Sequence, residues 1–192
     1  DHLKDNPGPE PRALAVAEAE IAKLRRAFRE GTQLQVGDVL GHGRFRLEEK
    51  IGQGGFAAVW RALDSRDGKQ VALKVLHGQF AEDKSRRDRF FRGAWKMSEL
   101  QHPAIVRVLE PYGDENGRYY FVMEYLRGGT LHTAVQDGQI AGPRALKLLE
   151  QVGTALQFAH SRGLVHRDVK PANVMIDLGG PGQEPQGKLT DF

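Results

Sequence analysis

Apolar positions in this chain follow two rhythms, one helical and one strand-like. From residue 12 to 30, Leu14, Ala17, Ile21, Leu24 and Phe28 recur at intervals of three and four, which predicts an amphipathic helix. Glu18 and Glu20 precede Lys23, Arg25 and Arg26, the order the helix dipole favours, and Gly31 ends the run. Few heptads fit in this length, so a helix packed on its own domain is preferred to a coiled coil or a partner-docking helix. Residues 1–11, with Pro7, Pro9 and Pro11, read as a flexible lead-in.

Beyond Val36 the texture changes. Short β-branched and aromatic runs at residues 45–51, 57–63 and 71–76 are separated by turn residues and predict an antiparallel meander. A charged helix is expected over residues 82–100. Two strands follow at 105–112 and 119–125, joined by the turn Asp114-Glu115-Asn116-Gly117. Pro143 opens a further helix that runs to Arg162, and Gly163 closes it. Short strands flank the last segment, with residues 179–187 as an exposed hairpin insertion.

Composition narrows the function classes. Lys and Arg number 28 against 25 Asp and Glu, so the formal charge is only +3 and gives no nucleic-acid footprint. The chain has no cysteine, which excludes disulfides, thiolate zinc sites and a cysteine nucleophile, and fits a cytoplasmic setting. No run approaches the ~18 apolar residues that span a bilayer, and no secretory leader is visible. The chain opens on Asp1 without an initiator Met, which reads as a missing or processed start.

Four segments carry chemistry. Ile51-Gly52-Gln53-Gly54-Gly55-Phe56-Ala57-Ala58-Val59 lies between two strand-like runs. It is either a phosphate cradle or an ordinary turn; a dinucleotide-binding loop would open a helix instead. Val71-Ala72-Leu73-Lys74 places a cation in an apolar strand, where either an anion or a route to water must compensate it. His166-Arg167-Asp168-Val169-Lys170-Pro171-Ala172-Asn173 gathers a proton acceptor, a cation and an amide in one loop. Asp191-Phe192 adds a carboxylate after a short strand.

In this order the segments resemble the protein kinases, in the manner of the bacterial eukaryotic-like serine/threonine kinases, from about Gly37 onward. Gly37-Asp38-Val39-Leu40 and His102-Pro103-Ala104-Ile105-Val106 add to that flavour. The resemblance implies an α+β, bilobal fold: residues 1–36 a helical extension, 37–125 the small lobe, 126–192 the start of the large lobe. It implies ATP and Mg2+ as cofactors and a protein Ser or Thr hydroxyl as acceptor. Gly52, Gly54 and the backbone of Gly55, Phe56 and Ala57 would cover the phosphates, with Ile51 and Gln53 in the same cofactor-binding loop. Lys74 would hold the α- and β-phosphates. Val59 and Ala72 would roof the adenine, Met175 would floor it, and Met123 would be the gatekeeper. The backbone of Glu124 and Leu126 would read the adenine edge. Asp168 would accept the hydroxyl proton, Lys170 would meet the γ-phosphate, and Asn173 and Asp191 would hold magnesium. His166 is expected to be a packing post and not a base.

Three departures qualify the resemblance. Ala57 replaces the third loop glycine. Gly93, counted back from His102-Pro103, stands where the family has the Glu that pairs with the strand lysine; Glu99 and Asp88 lie at other levels of the helix. This keeps a non-catalytic nucleotide-binding or scaffold module open as the alternative. Third, the chain stops at Phe192, before the rest of the expected large lobe. The helix from Pro143 carries apolar residues around most of its circumference, so part of that surface is expected to face water.

Overall fold

The computed structural model describes residues 14–16, 19–21, 33–140, 142–180 and 182–192. The predicted leading helix and the lead-in lie mostly outside them. Residues 14–16 and 19–21 are helical, and Leu14 and Ile21 of the expected apolar stripe are exposed. No helix among the described residues is long and apolar enough to cross a membrane.

Six strands build one antiparallel sheet in the order β1-β2-β3-β4-β6-β5. They are β1 (Val39–Leu40), β2 (Phe45–Gln53), β3 (Ala57–Asp64), β4 (Gln70–Leu76), β5 (Val108–Glu115) and β6 (Arg118–Glu124). The central strands β3, β4 and β6 bury residues on both faces, and the strand period of two sorts the side chains between them. Trp60, Ala62, Leu73 and Val122 join Phe45 and Leu47 in one cluster. Ala57, Ala72, Phe121 and Met123 face the other way, onto helix α1 (Lys84–Ser98). Phe90, Phe91, Ala94 and Met97 form the buried stripe of α1. Its first turn is capped by the Asp83 carboxylate, which accepts from the Arg86 N–H at 3.0 Å.

Two boundaries differ from the sequence expectation, each for a tertiary reason. The turn between β5 and β6 contracts to Asn116-Gly117, both left-handed at φ 52° and 73°, which is the type I′ pattern that matches strand twist. The strand expected from Ile105 begins only at Val108. Residues 104–106 are taken by the lower half of the molecule instead: the Val106 N–H donates to Leu189 O at 2.9 Å and the Leu189 N–H to Ala104 O at 2.8 Å.

That lower half holds α2 (Leu131–Gln136), α3 (Gly142–His160) and a hairpin of β7 (Val174–Asp177) and β8 (Gln186–Leu189). Sequence reading expected a single helix here. α2 escapes a periodicity test because it spans only six residues. A local box defines it: Thr130 Oγ1 accepts from the Thr133 N–H while Thr133 Oγ1 accepts from the Thr130 N–H. Leu148, Val152 and Ala155 of α3 pack with Val174, Ile176 and Leu189, and the loop after α1 adds Leu100, Ala104 and Ile105 to the same core. Leu146 and Leu149 of α3 face outward, 64% and 49% exposed. The β7–β8 loop is largely exposed, as expected, but Gly187 belongs to β8 and is buried against α3.

The chain passes from sheet to lower half through residues 125–130, pinned to β7. Gly128 donates to Ile176 O at 3.1 Å, and Gly129 O accepts from the Ile176 N–H at 2.9 Å. A Cβ at Gly128 would stand 2.5 Å from Ile176 O, so this crossing requires glycine.

Candidate active site

A cleft of about 460 Å³ opens beneath the β2–β3 hairpin. Gly54, Gly55, Phe56, Ala57, Val59 and Lys74 line it from the sheet, Arg89, Gly93 and Met97 from α1, and Asp168, Asp191 and Phe192 from below. Residues widely separated in sequence thus share one space.

Lys74 lies on β4, opposite Val59 of β3 and Phe121 of β6. Its ammonium meets Asp191 Oδ1 at 2.5 Å. Gly93 faces the cleft from α1, where a Cβ would approach only the Phe192 carbonyl oxygen, at an ordinary 3.4 Å. Among the described residues Lys74 has no other carboxylate partner. Ala57, buried in β3, has an ordinary strand backbone, so its methyl strains nothing.

The loop before β7 is tied internally. Asp168 Oδ2 accepts from Lys170 Nζ at 2.7 Å and from Asn173 Nδ2 at 3.1 Å. Asn173 Nδ2 also donates to Asp168 O at 2.8 Å, which leaves the amide carbonyl oxygen as the atom available to a cation. The Lys170 hydrogen bond first, and the Asn173 one after it, hold the Asp168 carboxyl below the ordinary aspartate range.

His166 is buried, and its ring assignment follows from its partners. Nδ1 accepts the Asp168 N–H at 3.2 Å, so Nε2 carries the hydrogen given to Thr190 O at 2.7 Å. The ring packs 4.6 Å from Phe192. His166 therefore fastens the Asp168 loop to the Asp191 segment, a post joining two chemical groups. Arg167 and Asp191 both hold left-handed backbones, at φ 67° and 65°. Such non-glycine conformations cost on the order of 1–3 kcal/mol and persist where surroundings enforce them, chiefly at functional sites.

Beside these polar groups, Ala72, Met123 and Leu126 are buried in one apolar cluster, with Val59 and Met175 packed against it. The Glu124 N–H is committed to Arg107 O at 2.9 Å. Ile51 ends exposed on β2, and Gln53 lines a groove on the opposite side of the sheet with Lys50 and Trp60. Gly52 packs against Val59. Sequence reading passed over Arg89 and Lys188. Lys188 carried no signal like that of Lys74, because its strand, Gln186-Gly187-Lys188-Leu189, has one apolar side chain only.

No group of three His, Cys, Asp or Glu residues that could hold a metal occurs among the described residues. Asp191 and the Asn173 amide oxygen are two hard oxygen donors, the number magnesium takes from a protein when phosphates and water complete its shell. The donor chemistry fits that ion.

Comparison with known proteins places this arrangement. Residues 45–192 match the protein kinase domain family. The chain belongs to the protein kinase family. It is 42% identical over 156 residues to serine/threonine-protein kinase PknA of Mycobacterium tuberculosis, covering 78% of this chain and 35% of that protein. It is 39% identical over 151 residues to serine/threonine-protein kinase PrkC of Bacillus subtilis, covering 78% and 22%. The crystal structure of the Mycobacterium tuberculosis PknI kinase domain superposes with a TM-score of 0.66 at 30% identity, over 83% of this chain and 63% of that one. The chain thus spans about a third or less of the length of these two full-length relatives.

Proposed function

We propose that this chain carries the ATP-binding and phosphoryl-transfer groups of a serine/threonine protein kinase, acting on protein Ser or Thr hydroxyls. One observation supports this most strongly. Lys74, Asp168 and Asp191 line a single cleft under a glycine-rich hairpin, and Lys170 and Asn173 are hydrogen-bonded to Asp168. Residues 37–125 would be the small lobe, 126–192 the start of the large lobe, and 1–36 a helical extension. The cysteine-free composition favours a cytoplasmic site of action.

Each residue then has a task. Val59 and Ala72 would cover the adenine, Met175 would support it, and Met123 would bound the slot. The Glu124 N–H is already used, so its carbonyl oxygen and the Leu126 N–H would meet the base edge. The hairpin from Ile51 to Ala57 would lie over the phosphates, with Gly52, Gly54 and Gly55 keeping Cβ atoms out of their way. Lys74 would pair with the α- and β-phosphates. Magnesium, when bound, supplies neutralisation of phosphate charge, and Asp191 with Asn173 would hold it. Asp168, kept ionised, would orient the acceptor hydroxyl and take its proton. Lys170, already on Asp168, would offset charge as the phosphoryl group moves.

Gly93 supports a second reading, a nucleotide-binding module without turnover, because among the described residues Asp191 is the one carboxylate on Lys74. Transfer of the terminal phosphoryl group from labelled ATP to a Ser/Thr-containing protein separates the two. The kinase reading expects incorporation that Asp168→Asn abolishes while nucleotide binding survives. Incorporation that is absent, or equal in the variant, would favour the module.

A further inference from the structure

The lower hairpin holds a second lysine with a specific environment. In β8, Gly187 and Leu189 are buried while Lys188 projects to the other face. Lys188 stands directly opposite Met175 in the β7–β8 ladder. Opposed residues of an antiparallel pair share a face, so the Lys188 stem rises beside the side chain read above as the floor of the adenine slot.

Its ammonium ends between two carboxylates. Nζ lies 3.1 Å from both oxygens of Glu124 and 3.1 Å from Asp177 Oδ2, with the Lys188 side chain only 13% exposed. Glu124 is clasped from its other side as well. The Arg107 N–H donates to Glu124 Oε1 at 2.8 Å, while the Glu124 N–H donates to Arg107 O at 2.9 Å. Ordering a long lysine at this depth costs rotamer entropy and hydration. Two carboxylates offset that cost only in this arrangement, so the geometry is strongly specified.

The network joins the two halves of the molecule. Glu124 ends β6, where the chain leaves the sheet, while Lys188 and Asp177 belong to the hairpin below. We infer that Lys188 is a positioning residue for the nucleotide base, holding the Glu124–Leu126 backbone at a set height above Met175. This rests on the nucleotide reading above and deepens it. Lys188 governs the fit of the adenine ring without touching phosphate, whereas Lys74 governs the phosphates.

Calorimetry on the 192-residue chain with adenosine, ADP and Mg-ATP tests this. Lys188→Met is expected to weaken all three by the same factor, on the order of tenfold. Lys188→Arg, which keeps a cation for both carboxylates, is expected to recover most of the loss. Lys74→Ala should instead weaken ATP and ADP more than adenosine. Lys188→Met leaves Glu124 and Asp177 facing each other and could unfold the hairpin, so Glu124→Gln provides a second route to the same broken pair. It should reproduce the loss, and the double variant should lose no more than the worse single one. A folded Lys188→Met chain that binds adenosine like the wild type, or losses that add in the double variant, would overturn the role of Lys188 alone. A wild-type chain that binds none of the three would overturn the nucleotide reading, and this role with it.

Discussion

Two ion pairs of the sheet contrast sharply. At its closed end, Arg44 forks onto Asp64 at 2.8 and 2.6 Å and reaches Glu110 at 2.5 Å, and Asp64 also accepts from the Arg66 N–H. Asp64 is buried and Arg44 half-buried. In the cleft, Lys74 has one carboxylate, Asp191, and Gly93 occupies the neighbouring wall. The first cluster gives its cation more than one carboxylate. The second has, among the described residues, a single acid, which is also the candidate metal ligand. Surplus partners fix a structure; a shared partner leaves a group free to exchange lysine for cation.

The largest expected effect falls on the first cluster. Asp64→Asn leaves Arg44 partly unpaired at low exposure and should cost about 3 kcal/mol of unfolding free energy, measured in urea at neutral pH. Arg44 lowers the Asp64 pKa, so the carboxylate stabilises the fold above the ordinary aspartate value. That stability is lost as pH falls through the lowered value, and the variant should show a shallower acid dependence. A neutral substitution here would break the contrast.

Next in size is Lys170→Met, which should slow phosphoryl transfer by about 100-fold. Lys170 is the main reason that Asp168 stays ionised at low pH. The acid limb of the rate profile should therefore lie below the ordinary aspartate range in the wild type and move upward in the variant. An unmoved limb would show that Asp168 does not set it.

The smallest effect sharpens the comparison most. Gly93→Glu gives Lys74 a second acid where a Cβ meets only ordinary contact. Magnesium needed for half-saturation of nucleotide binding should fall roughly threefold, since Asp191 is then freer. Removing a helix-interior glycine should also raise Tm by a few degrees, from ~1 kcal/mol of helix propensity. An unchanged magnesium requirement would mean that Lys74 and the cation do not compete for Asp191.

Much of this was legible in the sequence because the signals are local. The alternating runs placed β2, β3, β4 and β6 within a few residues, Lys74 stood out as a cation in an apolar strand, and the glycine loop, Asp168, Asn173 and Asp191 were legible through the order in which their motifs resemble the protein kinases. Gly93 was visible because the kinase resemblance implies an acid at that distance before His102-Pro103. What escaped depends on contacts distant in sequence. The register of residues 104–106 is set by Leu189, and the base-slot clasp needs Glu124 to meet Lys188; α2 escaped for a different reason, because six residues held by the local Thr130–Thr133 box are too few to show a period. The tautomer of His166 likewise follows from Thr190, which no spacing rule connects to it.

The central claim is that this cleft holds Mg-ATP through Lys74, Asn173 and Asp191 despite Gly93. Thermal unfolding of the chain with ATP, with and without magnesium, beside Lys74→Ala, tests it most directly. A magnesium-dependent rise of several degrees that the variant loses is the predicted result. A folded chain whose Tm does not respond to Mg-ATP, or responds equally in Lys74→Ala, would contradict it.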